Sequence, residues 1–166
     1  MPALSGVPHR TLGSIIRPSV VPRKSGATSI LIVEDQLMIA DMTEDYLLRN
    51  GYEVCGIART VDEAVALGLL HKPDLAVLDL RLADGGLGTE VAAQLESLTN
   101  LGILYVTGNM SEVVLTSDNG HACLNKPYRL VDLMVALEIV IELVDTTLTA
   151  LPLPRGFRIL PPAAIA

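Results

Sequence analysis

Between residues 28 and 148, short apolar runs alternate with longer segments in which apolar residues recur at helical spacing. The runs show little alternation of apolar and polar positions, which is typical of strands covered on both faces. They predict five strands, at 29–33, 52–57, 75–78, 103–106 and 122–124. The segments that follow them predict five helices, at about 36–49, 60–72, 88–98, 111–117 and 129–147. This alternation predicts an α/β fold, with a doubly wound parallel sheet and helices on both faces.

Local signals mark the ends of two of these helices. Asn50 and Gly51 follow the first helix and are typical of a helix C-terminus. Thr60 and Glu63 have the spacing of a capping box at the start of the second helix, which must end before Pro73.

Charge and proline content divide the chain into three parts. Residues 1–27 and 146–166 contain basic residues and no acid, so all 19 acids lie between them. Eight of the ten prolines lie in 1–27 and 149–166. We therefore predict one domain at 28–148, preceded by a disordered basic tail at 1–27 and followed by a proline-rich tail at 149–166.

Composition excludes several classes of protein. Half of the residues are hydrophobic, which provides a sizeable core, but only 3% are aromatic and the net charge is −7. These values argue against a nucleic-acid-binding surface. Two cysteines are too few for a disulfide-stapled fold, and no apolar stretch of about 18 residues predicts a membrane span. We expect a soluble, cytoplasmic protein.

Polar residues stand where the predicted strands end. Glu34 and Asp35 follow the first strand, Asp79 the third, Thr107 the fourth and Lys126 the fifth. In a doubly wound sheet the functional site lies beyond the carboxyl ends of the strands. Each residue taken singly is explained by ordinary turn or capping chemistry. Their combination predicts a site.

The chemistry that this combination suits is phosphoryl transfer to a carboxylate. A carboxylate at a strand end can attack a phosphoryl donor and form an acyl phosphate. Clustered carboxylates favour a hard cation such as Mg²⁺, which neutralises charge on the phosphoryl oxygens. Lys126 would add a second positive charge, and Thr107 would donate a hydrogen bond to the attached group.

These residues resemble the motifs of the receiver domain of two-component response regulators, over residues 28–148. The matching motifs are Val33-Glu34-Asp35, Leu78-Asp79-Leu80-Arg81-Leu82, Val106-Thr107-Gly108 and Asn125-Lys126-Pro127-Tyr128. The resemblance implies a flavodoxin-like sheet with strand order 2-1-3-4-5. It implies Asp79 as phosphoacceptor, Thr107 and Lys126 as phosphate-sensing residues, and a histidine kinase or histidine phosphotransfer protein as donor. It also implies Mg²⁺ held by Glu34, Asp35, Asp79 and the backbone carbonyl of Arg81.

The chain departs from the usual receiver pattern at two positions. Cys123 stands three residues before Lys126, where the family usually carries the Tyr or Phe that moves inward when Thr engages phosphate. Gly108 stands where the family commonly has Ala. The sequence Tyr105-Val-Thr-Gly108 resembles the FAT GUY subgroup, which consists mostly of single-domain regulators that also lack the strand-five aromatic.

Three classes of function fit the residues. The resemblance favours a single-domain response regulator, a phosphoacceptor that assists its own phosphorylation and dephosphorylation and is not otherwise an enzyme. A pseudo-receiver that binds without being phosphorylated is the second class. A phosphohydrolase with an Asp nucleophile is the third, although Arg81 stands where that class typically has a second acid. The 18 residues after Leu148 contain four prolines and predict no helix-turn-helix, so we expect signalling by protein contact.

The last predicted helix carries more apolar residues than one buried face requires. The surplus residues are Val131, Val135, Ile139 and Val140. Either the proline-rich tail folds back over them or they form an interface with a second copy or a partner. We predict the interface, on the face made by the fourth and fifth predicted helices and the fifth predicted strand, with Val135 and Ile139 near its centre.

Overall fold

The computed structural model describes residues 26–109 and 113–165, which form a six-stranded sheet flanked by helices. The strands are β1 (Ser29–Val33), β2 (Glu53–Ala58), β3 (Leu75–Asp79), β4 (Gly102–Thr107), β5 (Ala122–Asn125) and β6 (Phe157–Ile159). The helices of the described residues are α1 (Leu37–Arg49), α2 (Val61–His71), α3 (Gly88–Gln94) and α4 (Leu130–Thr146). None of these helices is long and apolar enough to cross a membrane.

The sheet confirms the predicted topology. Its strand order is β2-β1-β3-β4-β5-β6, and the first five strands in this order are parallel. Apolar side chains of β1 point alternately into two layers, with Ile30 and Ile32 towards α1 and α4 and Leu31 and Val33 towards α2 and α3. Because both faces are covered, the central strands are apolar throughout, as their sequences predict.

The predicted signals at helix ends are found in part in the structure. The backbone N–H of Glu63 donates to Thr60 Oγ1 at 3.2 Å, and the N–H of Arg59 donates to Glu63 Oε2 at 2.8 Å. The first bond is the predicted N-cap bond of Thr60, whereas the Glu63 side chain bonds to the N–H of Arg59, one residue before the N-cap, and so does not complete the capping box. Gly51 follows α1 with a φ of 84°, a conformation that glycine adopts without steric cost.

The helix predicted at 111–117 is wrong for residues 113–117, and 111–112 lie outside the described residues. The chain forms a turn there instead, in which the N–H of Asn119 donates to Thr116 O at 2.9 Å and the N–H of Thr116 donates to Asn119 Oδ1 at 3.0 Å. The Asn119 side chain thus satisfies the backbone locally, which competes with helix formation. α3 is also shorter than predicted and ends at Gln94.

Part of the predicted proline-rich tail belongs to the sheet. β6 pairs antiparallel with β5, and the pairing is extended by hydrogen bonds from Asn125 N to Gly156 O and from Leu160 N to His121 O, both 2.9 Å long. The side chains of Phe157 and Leu160 are buried. Of the predicted N-terminal tail, only residues 26 and 27 are among those described.

This docking corrects the predicted interface. Ile139 and Val140 are fully buried in the same apolar cluster as Phe157, and Leu151 packs against that cluster. Ile139 therefore cannot lie at the centre of an exposed interface, because its side chain has no exposed surface. The structure agrees with the other explanation for the surplus apolar residues, in which the tail folds back. Only Val131 of that set remains largely exposed, at 48%.

Candidate functional site

The fold brings the predicted carboxylates together at the carboxyl end of the sheet. β1 and β3 are neighbours, with Val33 paired to Leu78, so the residues that follow these two positions lie side by side. One carboxylate oxygen from each of Glu34, Asp35 and Asp79 lies within 4.8 Å of the others. Glu34 and Asp79 are buried, at 3% and 8% exposure, whereas Asp35 is half-buried.

Backbone N–H groups orient two of these carboxylates. The N–H of Gln36 donates to Glu34 Oε1 at 3.0 Å, and the N–H of Arg81 donates to Asp79 Oδ1 at 3.2 Å. Each bond joins a side chain to the backbone two residues later, which is a turn that acidic residues readily form. One oxygen of each carboxylate is thereby held, and the other is directed towards Lys126.

Lys126 joins the two buried carboxylates. Its Nζ lies 2.9 Å from Glu34 Oε2 and 2.8 Å from Asp79 Oδ2. Burial lowers the pKa of Lys126, but its hydrogen bonds to Asp79 and Glu34 outweigh that effect and the pKa is raised. Burial raises the pKa of Glu34, and the hydrogen bonds from Lys126 and Gln36 offset this only in part. The Lys126 ammonium thus bonds to two members of a cluster of three carboxylates.

Thr107 lies at the end of β4, beside the strand that leads to Lys126. It is 5% exposed, and its Oγ1 accepts a hydrogen bond from the N–H of Asn109 at 3.2 Å. Its carbonyl accepts from the N–H of Lys126 at 2.8 Å. Since a hydroxyl can donate one hydrogen bond while it accepts another, Thr107 can still donate to a group bound beside it.

The structure places Arg81 in the connection between β3 and α3. Its backbone N–H bonds to Asp79 as described, and Arg81 forms an isolated bridge with Leu87 on the other side of the connection. The turn between them is closed by the bond from Leu82 N to Gly86 O at 2.9 Å, with Gly85 at a φ of 82°. That the Arg81 carbonyl binds a metal remains a prediction.

Gly88 is a site residue that the sequence analysis missed. A methyl group built on its Cα would overlap the backbone carbonyl oxygen of Asp79, and the N–H of Gly88 donates to Leu80 O at 3.1 Å. The start of α3 is therefore packed directly against the backbone that carries the candidate phosphoacceptor. The run of three glycines at 85, 86 and 88 was the available signal.

A buried aromatic ring, that of Tyr105 on β4, lies beside Cys123. Tyr105 is paired with Cys123 in the sheet, both are fully buried, and both belong to the same apolar layer. The Tyr105 hydroxyl donates to Asn119 O at 2.7 Å, which ties β4 to the connection that leads into β5. Burial raises the pKa of both Tyr105 and Cys123, that of Cys123 to about 11.

The arrangement fits a hard divalent cation. All three acidic side chains offer oxygen ligands, which Mg²⁺ prefers, and they lie close enough to share one ion. Lys126 offsets part of their mutual repulsion through its bonds to Glu34 and Asp79, and a cation would relieve more of it. Among the described residues, no other group of three or more His, Cys, Asp or Glu side chains is placed to hold a metal.

Comparison with known proteins identifies the family. A sequence model of the response regulator receiver domain matches residues 30–138, well over half of the chain. The chain belongs to this family, and its flavodoxin-like fold is that of a receiver domain. The predicted membership is thereby confirmed.

Individual relatives agree with this assignment. The chain is 32% identical over 127 residues to the transcriptional regulatory protein PdtaR of Mycobacterium tuberculosis, covering 75% of this chain and 59% of PdtaR. It is 37% identical over 82 residues to the phyllosphere-induced regulator PhyR of Methylorubrum extorquens, covering 49% of this chain and 31% of PhyR. The matched region thus spans between about a third and three fifths of these two relatives.

A solved structure agrees as well. A CheY-like receiver domain from Methanospirillum hungatei superimposes with a TM-score of 0.66 at 28% identity, covering 74% of this chain and 99% of that one. The part of this chain that lies outside the receiver match includes β6.

Proposed function

We propose that this receiver domain is a phosphorylation-dependent switch of a cytoplasmic two-component phosphorelay. Asp79 accepts a phosphoryl group from a histidine kinase or a histidine phosphotransfer protein, and the domain then signals by protein contact. The observation that carries the proposal is the surroundings of Asp79. Its carboxylate ends a buried strand, lies beside two further carboxylates and is held by a lysine at 2.8 Å.

The proposed reaction needs no base to activate the nucleophile. A carboxylate oxygen of Asp79 attacks the phosphorus atom of the donor, and an O–P bond forms as the P–N bond of phosphohistidine breaks. The electron pair of that bond goes to the imidazole nitrogen. Because a carboxylate has no proton to lose, the chain has only to orient Asp79 and to neutralise charge. The bond from Arg81 N provides the orientation.

Mg²⁺ would be held by Glu34, Asp35, Asp79 and the backbone carbonyl of Arg81. The ion supplies positive charge next to the phosphoryl oxygens. The carboxylate of Glu34, one of these ligands, is already held in place by the N–H of Gln36 and by Lys126 Nζ.

Lys126 and Thr107 would hold the attached phosphoryl group. Lys126 Nζ already contacts Asp79 Oδ2 and so lies beside the position of the new bond. The Thr107 hydroxyl would turn from its present surroundings to donate to a phosphoryl oxygen. With Cys123 in place of the usual aromatic residue, we propose that this movement is transmitted through the backbone of β4 and β5, which are joined by the bond from Lys126 N to Thr107 O.

The proposal is tested by incubating the chain with Mg²⁺ and acetyl phosphate and measuring its intact mass. The wild type should gain one phosphoryl group. Asp79→Asn keeps the shape of the side chain but removes the nucleophile, so that variant should fold and gain none. Asp41→Asn, on the exposed face of α1, is the matched control and should behave as the wild type.

Two outcomes would contradict the proposal. Labelling of Asp79→Asn at the wild-type level would show that another carboxylate is the acceptor. A folded wild type that gains no phosphoryl group would instead favour the pseudo-receiver, a binding module that is never phosphorylated.

A further inference from the structure

The C-terminal segment, residues 149–161, follows a defined path over the receiver fold. After α4 ends, Thr147 adopts a left-handed conformation with a φ of 60°, and the hydroxyl of Thr149 donates to Glu142 Oε2 on α4. The chain then returns to the carboxyl end of the sheet, where Gly156 meets Asn125. From there β6 runs back along β5. The segment therefore covers the edge of β5 and the adjoining side of α4.

β6 is attached to the rest of the domain at both ends, and one attachment neighbours the proposed phosphate-sensing residues. At one end Asn125 N donates to Gly156 O at 2.9 Å, and Asn125 precedes Lys126 and is paired with Thr107. At the other end Ser117 N donates to Pro161 O at 2.8 Å. Ser117 lies in the connection that follows Thr107. A movement of Thr107 or Lys126 would therefore act directly on the attachment at Asn125.

The connection between β4 and β5 is itself tied to the strand that carries Thr107. The hydroxyl of Tyr105 bonds to the carbonyl of Asn119, two residues after Ser117. Tyr105 and Thr107 lie two positions apart, and alternate residues of a strand share one side of the sheet. The anchor at Ser117 and the site are thus linked through β4 as well as through β5.

The outer edge of β6 is a poor template for another strand. The N–H of Phe157 is already bonded to Pro154 O at 3.1 Å, and Pro161 and Pro162 have no N–H. Prolines at a sheet edge discourage further pairing. We therefore take the chain's own segment as the occupant of the β5 edge, and not a second copy that continues the sheet.

The docking is limited enough to be reversible. β6 has only three residues, and although Phe157 and Leu160 are buried, Leu153 is 53% exposed and Ile159 38% exposed. The five parallel strands and their helices do not depend on β6 for their own pairing. Undocking would uncover the backbone edge of β5, which is a surface that an extended peptide can join by strand addition.

We propose that the C-terminal segment is a removable ligand of the β5 edge, and that phosphorylation of Asp79 weakens its docking. The inference rests on the proposed function, since it needs a phosphoryl group on Asp79. When the segment is released, the edge of β5 is open to an extended strand of a partner protein. Because coupling between two sites is reciprocal, loosening the segment must also change the affinity of the site for the phosphoryl group.

Amide hydrogen exchange of the full chain, followed by NMR, tests the proposal. The reporters are the amides of Ser117, Asn125 and Leu160. Each of them donates a hydrogen bond that joins the C-terminal segment to the rest of the domain. The controls are the amides of Glu53 and Gly102, which bond to the carbonyls of Thr28 and Asp74 and not to the C-terminal segment. With Mg²⁺ and excess acetyl phosphate, the reporters should exchange at least about fivefold faster and the controls should not change.

Intact mass, measured on the same sample, distinguishes a failure of this inference from a failure of the proposed function. A gain of one phosphoryl group with unchanged exchange of the reporters would overturn the inference and leave the proposed function standing. Absence of a mass gain would overturn the proposed function, and the inference with it.

A pair of glycine variants tests the coupling from the other direction. Gly156 and Gly51 have φ values of 76° and 84°, so replacement by alanine strains the backbone similarly at both positions. A Cβ on Gly156 would lie 3.2 Å from Asn125 Cβ, whereas a Cβ on Gly51 would meet nothing within 4 Å. Of the two substitutions, only Gly156→Ala therefore places a methyl group against Asn125, where the segment is attached.

Gly156→Ala should speed exchange of the reporter amides without any phosphodonor and should change the final extent of phosphorylation at a fixed concentration of acetyl phosphate. Gly51→Ala should leave both quantities at their wild-type values. Faster exchange in Gly156→Ala together with a wild-type extent of phosphorylation would overturn the coupling.

Discussion

At the scale of single residues, the site is governed by an imbalance of charge. Glu34, Asp35 and Asp79 lie within reach of one cation, and Lys126 contacts only two of them. Asp35 is the most exposed of the three, and the bonds of Lys126 go to Glu34 and Asp79, so Asp35 adds repulsion when no cation is bound. The metal-free site is expected to be electrostatically strained, and a cation should stabilise it.

The first prediction concerns that strain. Mg²⁺ should raise the melting temperature of the wild type, because a ligand that binds only the native state stabilises it by about 2.7 kcal/mol at a concentration 100-fold above its Kd. Asp35→Ala should abolish this response and should raise the melting temperature of the metal-free protein. Thermal denaturation with and without Mg²⁺ measures both effects. Asp41→Ala on α1 is the control, and an undiminished Mg²⁺ response in Asp35→Ala would rule out the site.

The residues of the site were predictable to different degrees. Glu34, Asp79, Thr107 and Lys126 could be found because each follows an apolar run, and parallel strands bring such positions to one edge. Gly88 could not be found in this way, because its role depends on the distance between two backbones and not on chemistry that its sequence position reveals.

At the scale of elements, the connection from β4 to β5 departs most from expectation. Its apolar residues suggested a helix, but Ser117, Asp118, Asn119 and Gly120 are turn formers, and Asn119 bonds to the backbone of Thr116. β6 escaped prediction for a related reason. A three-residue strand flanked by prolines has too little periodicity to be recognised, and its position depends on the free edge of β5.

His121 holds three elements together in this region. Its Nδ1 accepts a hydrogen bond from the N–H of Ile103 at 3.1 Å, and its carbonyl accepts from Leu160 N at 2.9 Å. Burial lowers the pKa of His121 below its ordinary value of 6.5. Protonation of Nδ1 would remove the acceptor that Ile103 uses.

The second prediction is therefore a pH dependence. The unfolded chain binds a proton at His121 near pH 6.5 and the folded chain only at lower pH, so the free energy of unfolding should fall as the pH is lowered below 6.5. The contribution of this one group is at most about 1.4 kcal/mol per pH unit. Urea denaturation between pH 7.5 and about 5 should show a shallower loss in His121→Asn, which keeps an acceptor near Nδ1 but does not titrate.

The control for this prediction is His71→Asn, at the exposed end of α2, which should retain the wild-type slope. Equal slopes for the wild type and His121→Asn would contradict the assignment of the pH dependence to His121.

At the scale of the whole molecule, the receiver fold accounts for the distribution of charge. All 19 acids lie in residues 28–145, which include the matched region at 30–138. The alternation of strands and helices was enough to predict a parallel sheet covered on both faces, and the strand order followed from the resemblance to the receiver family. The docked C-terminal segment was open to two interpretations, since an apolar helix face does not reveal whether its cover comes from the same chain.

The central claim is that Asp79 carries the phosphoryl group, and chemical trapping tests it most directly. The chain is loaded from acetyl phosphate in the presence of Mg²⁺ and treated with borohydride, which reduces an aspartyl phosphate to homoserine. Peptide sequencing by mass spectrometry then locates the reduced residue. The account predicts homoserine in place of Asp79 and at no other position. Reduction at Glu34 or Asp35, or an unreduced Asp79 in a chain that has gained a phosphoryl group, would contradict it.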